Sequence, residues 1–353
     1  MDRSPLADLR RAIAVARPHL SVPVRADDGT EGFPRSSFRR GWRRAHRGLY
    51  VPAGVDDGSP EQRVLEAAAC FAGHAGAVTG WAALTWRGAR WFDGERGDGS
   101  RAPVAVVIST FDRRPRAGVR LSAEAFRADE VTVVDGVRVT TPCRAVADEM
   151  RWSSSVRAAV RVAEMAAYDD LVSVAELKQQ VRRWTGRTGV RILRDAVPLV
   201  DENVWSPPES DLRWDWHELA GLPPVMTNRP VFDRRGRHLG TPDLLEPTVG
   251  LAVEYDGVIH LDAVRRRNDV DREERFRAAG LEYATIVAGA DRHARALRLQ
   301  RIWERARASR DGGREQSWTV DPPVWWTPTD SVEARRALSL DDRVRLLGYR
   351  SAS

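Results

Sequence analysis

Apolar positions recur at helical spacing in some stretches of the chain and alternate or run together in others, and the two patterns divide it into elements. Leu6 to Ala16 reads as a short helix, followed by a polar loop holding Gly and Asp. FRRGWRRAHRGLYVPAG (38–54) ends in a β-like GLYV strand. Residues 60–76 have helical periodicity, and 78–89 reads as another helix with Trp81, Ala82 and Thr85 on one side. PVAVVIS (103–109) is a strand. VTVVDGVRVTT (131–141) joins two β-branched runs at Asp135-Gly136, a two-residue turn signal, and reads as a hairpin. PCRAVADEMRW opens a helix with Pro142 in its first turn. Helical patterns dominate 153–200, with Ser173 and Glu176 at capping-box spacing and a break at Thr185 to Gly189.

The chain turns polar near Val200 to Ser206, which sets a boundary there. SPPESDLRWDWHELAG (206–221) then reads as a helix with Ser206 as cap, Pro207 at its first position, Glu209 three residues after the cap and Gly221 closing it. Residues 229–234 and 237–246 read as a hairpin around Gly236, and GLAVEY (250–255) as a third strand. A long helix (261–280) stops at Gly280, a fourth strand follows (281–289), and a last helix covers 291–309. The expected order is αβββαβα. Three regions result: 1–200, mostly helical; 203–308; and an extension, 310–353, carrying PPVWWTP.

Composition narrows the class. The chain has 353 residues, of which 42% are apolar. It is therefore globular and long enough for two domains. Lys plus Arg number 56 against 50 Asp plus Glu, a net charge of +6. That balance suits a nucleic-acid partner as well as a solvated arginine-rich surface. Cys70 and Cys143 alone make neither a disulfide framework nor a thiolate metal site, and fit a reducing cytoplasm. The N-terminus is too charged for a signal peptide, and no stretch is apolar and long enough to span a bilayer. A cytoplasmic protein without membrane contact is expected.

The chemistry concentrates in TPDLLEPTVGLAVEYDGVIH (241–260). Its apolar strand carries Glu254, with Asp243 on the strand before it, Asp256 two residues on and His260 beyond. Ionised carboxylates are costly to bury unpaired, and crowded ones raise each other's pKa. A divalent cation resolves both costs, and hard oxygen donors suit Mg²⁺ or Mn²⁺.

Pro242-Asp243, ten residues, then Glu254-Tyr255-Asp256 resembles the PD-(D/E)XK nuclease superfamily. VEYDGVIH, with SPPES before it and a helix bearing Asp269, Arg272, Phe276 and Gly280 after it, is similar to the very-short-patch-repair-like branch, over roughly residues 203–308. The resemblance implies an α/β (α+β) chain with a restriction-endonuclease-like αβββαβ core in its C-terminal half. It also implies metal-assisted phosphodiester hydrolysis in DNA, with Asp243 and Glu254 as ligands, helped by the Tyr255 carbonyl. Glu209 would support the site, and His260 would orient the water or take its proton. Asp256 stands where the superfamily pattern has Lys, and an anion cannot replace an ammonium.

Other readings stand beside these. Asp256-Gly257 is also a turn signal, Glu209 also a capping residue, and Asp269 with Arg272 also a helix-surface ion pair as well as a phosphate contact. In the first region Arg39, Arg40, Arg43, Arg44 and Arg47 surround Trp42 and His46, a patch suited to phosphates or to a protected strand edge. This stretch resembles the end of the winged-helix region in AbiEi-type antitoxins of type IV toxin–antitoxin systems, so a winged-helix-like remnant is expected. DNA is the expected partner, with a protein partner or a second copy left open. The alternative to an endonuclease is a non-catalytic DNA-binding regulator or antitoxin-like protein on a nuclease scaffold.

Overall fold

The structure, a computed structural model, describes residues 5–25, 41–109, 116–256 and 263–348, the last stretch by its backbone alone up to residue 270. The chain forms two compact units. One holds the described residues up to Ser154 together with Glu176–Leu193, and the other holds Ser155–Ala175 and the described residues from Arg194 onward.

In the first unit α1 (Pro5–Ala16) buries Leu6, Leu9 and Ile13, spaced three and four apart on one face. Strands β1 (Val24–Arg25), β2 (Trp42–His46) and β3 (Leu49–Pro52) form an antiparallel sheet in the order β1-β3-β2. Next, α2 (Pro60–Cys70) starts from a Ser59 cap whose side chain accepts the Gln62 N–H. A second sheet has the order β6-β5-β4-β8-β7, from β4 (Ala77–Thr79), β5 (Val104–Ile108), β6 (Val119–Ala123), β7 (Val131–Val134) and β8 (Val137–Thr140). The β7–β8 turn holds Asp135 and Gly136 at φ 48° and 79°. These are the left-handed pair that a two-residue hairpin needs.

Two expectations are corrected here. The expected helix over 78–89 is a strand followed by a shorter helix, α3 (Trp81–Trp86), because Val78 and Thr79 lie in the middle of the second sheet. The first region is also not mostly helical, since it carries two sheets. Residues 26–40, which the winged-helix expectation needs, lie outside the described residues.

The helix α4 (Pro142–Trp152) places Arg144 and Arg151 one turn either side of Asp148, on one face. Asp148 is fully buried and accepts from Arg144 Nε and Arg151 Nε, each at 2.9 Å, and from the Thr79 hydroxyl at 2.8 Å. This network fixes the helix on its sheet and leaves that carboxylate no role in chemistry.

In the second unit α5 (Val156–Tyr168) packs on α8 (Pro207–Trp214); between them in the chain lie α6 (Val174–Arg183), which falls almost wholly in the first unit, and α7 (Val190–Ala196), which divides between the two. The expected cap of α8 is present: Ser206 Oγ accepts the Glu209 N–H, and a π-helical turn, Asp215–Leu219, continues the helix to Gly221. The core sheet has the order β14-β13-β12-β9, from β9 (Met226–Thr227), β12 (Leu244–Glu246), β13 (Leu251–Asp256) and β14 (Glu282–Val287). The pair β12–β13 is antiparallel and β13–β14 parallel.

The expected hairpin over 229–246 divides between two sheets. Its first part, β10 (Val231–Asp233) and β11 (His238–Gly240), forms a separate sheet with β15 (Trp318–Thr319) from the extension. On one face of the core sheet, Leu244, Leu251, Val253 and Ile286 pack under Leu212, Trp216 and the helix α10 (Arg292–Asp311). On the other, Leu245, Ala252 and Tyr283 pack under Phe276 of α9 (Ala263–Ala278) and under Val231 and Leu239. Alternation along β13 therefore turns Glu254 and Asp256 toward the α9 side. Two short helices, α11 (Val332–Arg336) and α12 (Leu340–Leu347), end the described chain. No helix among the described residues is long and apolar enough to cross a membrane.

Candidate carboxylate site

The β12–β13 register pairs Leu244 with Val253. Carried one position further, it sets Asp243 opposite Glu254, and directly opposite residues of an antiparallel pair share a face. The structure therefore brings these two expected acids together. Asp243 Oδ2 accepts the Tyr255 N–H at 2.6 Å. Glu254 Oε2 accepts from Arg272 Nη2 of α9 at 2.5 Å and from the Tyr283 hydroxyl of β14 at 3.0 Å.

Glu209 reaches the same place from α8. Its carboxylate accepts the Trp205 N–H at 2.9 Å, the Ser206 hydroxyl at 2.8 Å and the Asn228 amide at 2.8 Å. Asn228 adopts the left-handed region, φ 44°, and its own N–H donates to the Asp243 carbonyl at 3.1 Å. Glu209 is thus both the capping residue and, through Asn228, a support for the backbone that carries Asp243.

The crowding shows in the titration of the acids. Burial, then the charge of Glu209 and that of Glu254, push the Asp243 carboxyl well above its usual range, against the Tyr255 N–H and Arg272. Burial likewise raises Glu209, against its three hydrogen bonds. Burial first and Glu254 second raise the Tyr283 phenol.

The remaining expected residues fall elsewhere. Asp256 ends β13 with its side chain exposed. Arg272 meets Glu254 across eighteen residues, while the Asp269 side chain, like His260, Arg39 and Arg40, lies outside the described residues. Arg43 is drawn into the fold by a two-pronged contact with Glu66, at 2.6 and 3.1 Å. Arg44, on the edge strand β2, and Arg47, in its turn, are exposed.

These placements divide the basic patch. Replacing Arg44 and Arg47 together with Ala should lower the slope of log affinity for duplex DNA against log salt by roughly 0.9 for each lost phosphate contact. Arg43→Ala should instead lower the melting temperature, because it leaves the buried Glu66 without its guanidinium. A salt titration followed by anisotropy, with melting curves of the same variants, checks both. An unchanged slope in the double variant would assign these arginines to solubility.

Among the described residues no group of three or more His, Cys, Asp or Glu is arranged to hold a metal ion. The donor set is the Asp243–Glu254 pair: hard oxygens on one face, suited to a cation that keeps several waters, as Mg²⁺ does. The Arg272 guanidinium already neutralises part of it.

Sequence reasoning missed Asn228 and Tyr283, and an aromatic cleft of about 690 Å³ whose lining includes Asn228, Arg272, Phe232, His238, Trp325 and Trp326. The WW pair of the extension was the visible signal for the cleft. Compared with family models, with curated proteins and with solved structures, the chain matches none.

Proposed function

We propose that the chain is a divalent-metal-dependent DNA endonuclease, hydrolysing phosphodiester bonds at the Asp243–Glu254 pair. The observation that carries the reading is the gathering of Asp243, Glu254 and Glu209 at one sheet end, where burial first and the two neighbouring charges after it raise Asp243. Such crowding is unfavourable in the folded protein alone and is relieved by a cation. With β10 and β11 set apart in their own sheet, the helices and core-sheet strands in the order α8, β9, β12, β13, α9, β14 support the reading, because they follow the αβββαβ succession that the sequence resemblance implies.

Bound Mg²⁺ or Mn²⁺ would supply an acidified water and offset charge developing on the phosphate. Asp243 and Glu254 would hold it. Glu209 and Asn228 fix the backbone at Asp243. Arg272 provides the fixed positive charge that Asp256 cannot, close enough to Glu254 to serve a phosphate bound there. His260, outside the described residues, keeps the two roles the resemblance implies, orienting the water or taking its proton.

A second reading has its own support. Arg272 and Tyr283 already donate to Glu254 Oε2, and the Tyr255 N–H to Asp243 Oδ2, as expected of a DNA-binding regulator on a nuclease-like scaffold. Incubation with supercoiled plasmid separates the two. The nuclease reading expects nicking with Mg²⁺ or Mn²⁺ and none with EDTA. Retained DNA binding without nicking under either metal would select the regulator.

A further inference from the structure

We infer that the aromatic cleft beside the carboxylates binds a nucleic-acid strand through unpaired bases, which stack on the rings of His238, Trp325 and Trp326, backed by the buried Phe232, while the backbone follows Arg275. The inference rests on the DNA reading of the carboxylate site and names the form of its substrate.

The cleft wall is a cluster of four rings. Trp326 lies with its ring centroid 5.0 Å from Phe232, 5.0 Å from His238 and 5.6 Å from Trp325, and Trp325 is 6.1 Å from Phe232. Pairing of β15 with β10 anchors the extension beside the hairpin that carries Phe232 and His238. The wall is open: Trp325 is 62% exposed. An indole left that accessible beside other rings offers a π-face to a flat partner. Burial, opposed by the Gly240 backbone and aided by Arg275, lowers the His238 pKa, so that ring is neutral at pH 7.

The charge around the wall is positive. Arg229, Arg272, Arg275 and Arg345 line the cleft; Arg229 is paired with the lining Asp330, Arg272 with Glu254 and Arg345 with Asp342. The Arg275 guanidinium meets no carboxylate among the described residues. Arg275 also lines a neighbouring groove of about 310 Å³ with Arg234, Arg235 and Arg237, so the two recesses share one cation. A phosphate beside Arg275 fits that layout.

One polar atom adds specificity. Asn228 is 2% exposed and lines the cleft, and its amide hydrogens go to Asn203 O and Glu209. Its Oδ1 has no hydrogen-bond partner among the described residues. A buried acceptor without a donor is costly, and the exocyclic amine of an unstacked base is a donor of the right kind. A paired duplex presents no open base faces along its stack, which decides for unpaired bases.

The test is fluorescence anisotropy of the full chain at fixed salt with two probes, a labelled mixed-sequence single strand and the same strand fully paired. Stacking on one ring is worth a roughly five- to hundredfold change in affinity. Trp325→Ala and Trp326→Ala should each weaken single-strand binding by that factor and change duplex binding less than twofold. Trp326→Phe should restore most of the loss, and melting curves identify any variant that fails to fold. Single-strand affinity indifferent to all three variants would overturn the inference while leaving plasmid nicking to decide the nuclease reading. Loss of all nucleic-acid binding by the wild type would overturn both. Displacement of the strand by deoxynucleoside monophosphates at micromolar concentration would overturn the strand assignment and make a free nucleotide the occupant.

Discussion

Asp215→Ala should destabilise the second unit by about 3–5 kcal/mol, the usual cost of removing one partner from a buried ion pair. Asp215 is fully buried in the π-helical turn after α8. It accepts from Arg295 at 2.7 and 2.5 Å and from Arg292 at 3.0 and 2.6 Å. These contacts tie α8 to α10 on the face of the core sheet opposite α9. The variant strands two guanidiniums, and Arg295 is buried. Against that stands only the relieved desolvation of one carboxylate. Arg295→Met should cost less, because Asp215 keeps Arg292 and the methionine fills the space. Urea unfolding followed by circular dichroism checks the order. Equal effects of the two variants would mean that packing, rather than charge, sets the loss.

The second large effect is a dependence on pH and metal. In EDTA the second unit should lose stability as pH rises above about 4, the ordinary aspartate value. The sign follows from Asp243 and Glu209, both raised in the folded protein. Between the unfolded and folded values the native state holds protons that the unfolded chain has released. Stability then falls by about 1.4 kcal/mol per pH unit for each such proton. The contribution is complete below the unfolded value and lost as pH passes through the folded one. Asp243→Asn should flatten this slope and leave the metal-free protein no less stable at pH 8.

Mg²⁺ or Mn²⁺ at about a hundred times its dissociation constant should add about 2.7 kcal/mol. The gain should be larger at pH 8 than at pH 5, since the ligands bind as carboxylates, and it should shrink in Asp243→Asn. A stability in EDTA that is flat in pH, together with melting indifferent to both metals, would make these acids structural.

What could be read from the chain was local. Ser206, Pro207 and Glu209 marked the start of α8, Asp135-Gly136 marked a hairpin, and the apolar run at 250–255 marked β13, because caps, turns and periodicity act over a few residues. The acid pair was legible because a strand period of two and an antiparallel neighbour suffice to place Asp243 opposite Glu254. Their neutralisation was not. Arg272 lies within a turn of Asp269, and helix spacing alone favours that pair, while its contact with Glu254 depends on how α9 lies over the sheet. Arg43 likewise read as a surface cation until α2 brought Glu66 to it. The strand at Ala77–Thr79 is too short to announce itself beside a helical run. The division of 229–246 between two sheets depends on β15, which lies far along the chain in the extension.

The most direct test of the central claim is the plasmid nicking rate of Asp243→Asn beside that of the wild type, in Mg²⁺ and in Mn²⁺, with both proteins shown to be folded by their melting curves. A lost metal contact worth several kcal/mol to the transition state corresponds to at least ~100-fold in rate. The account predicts nicking by the wild type that EDTA abolishes, and a loss of that size in the variant with DNA affinity kept. Equal rates for the two proteins, or no nicking by the wild type in either metal, would contradict it.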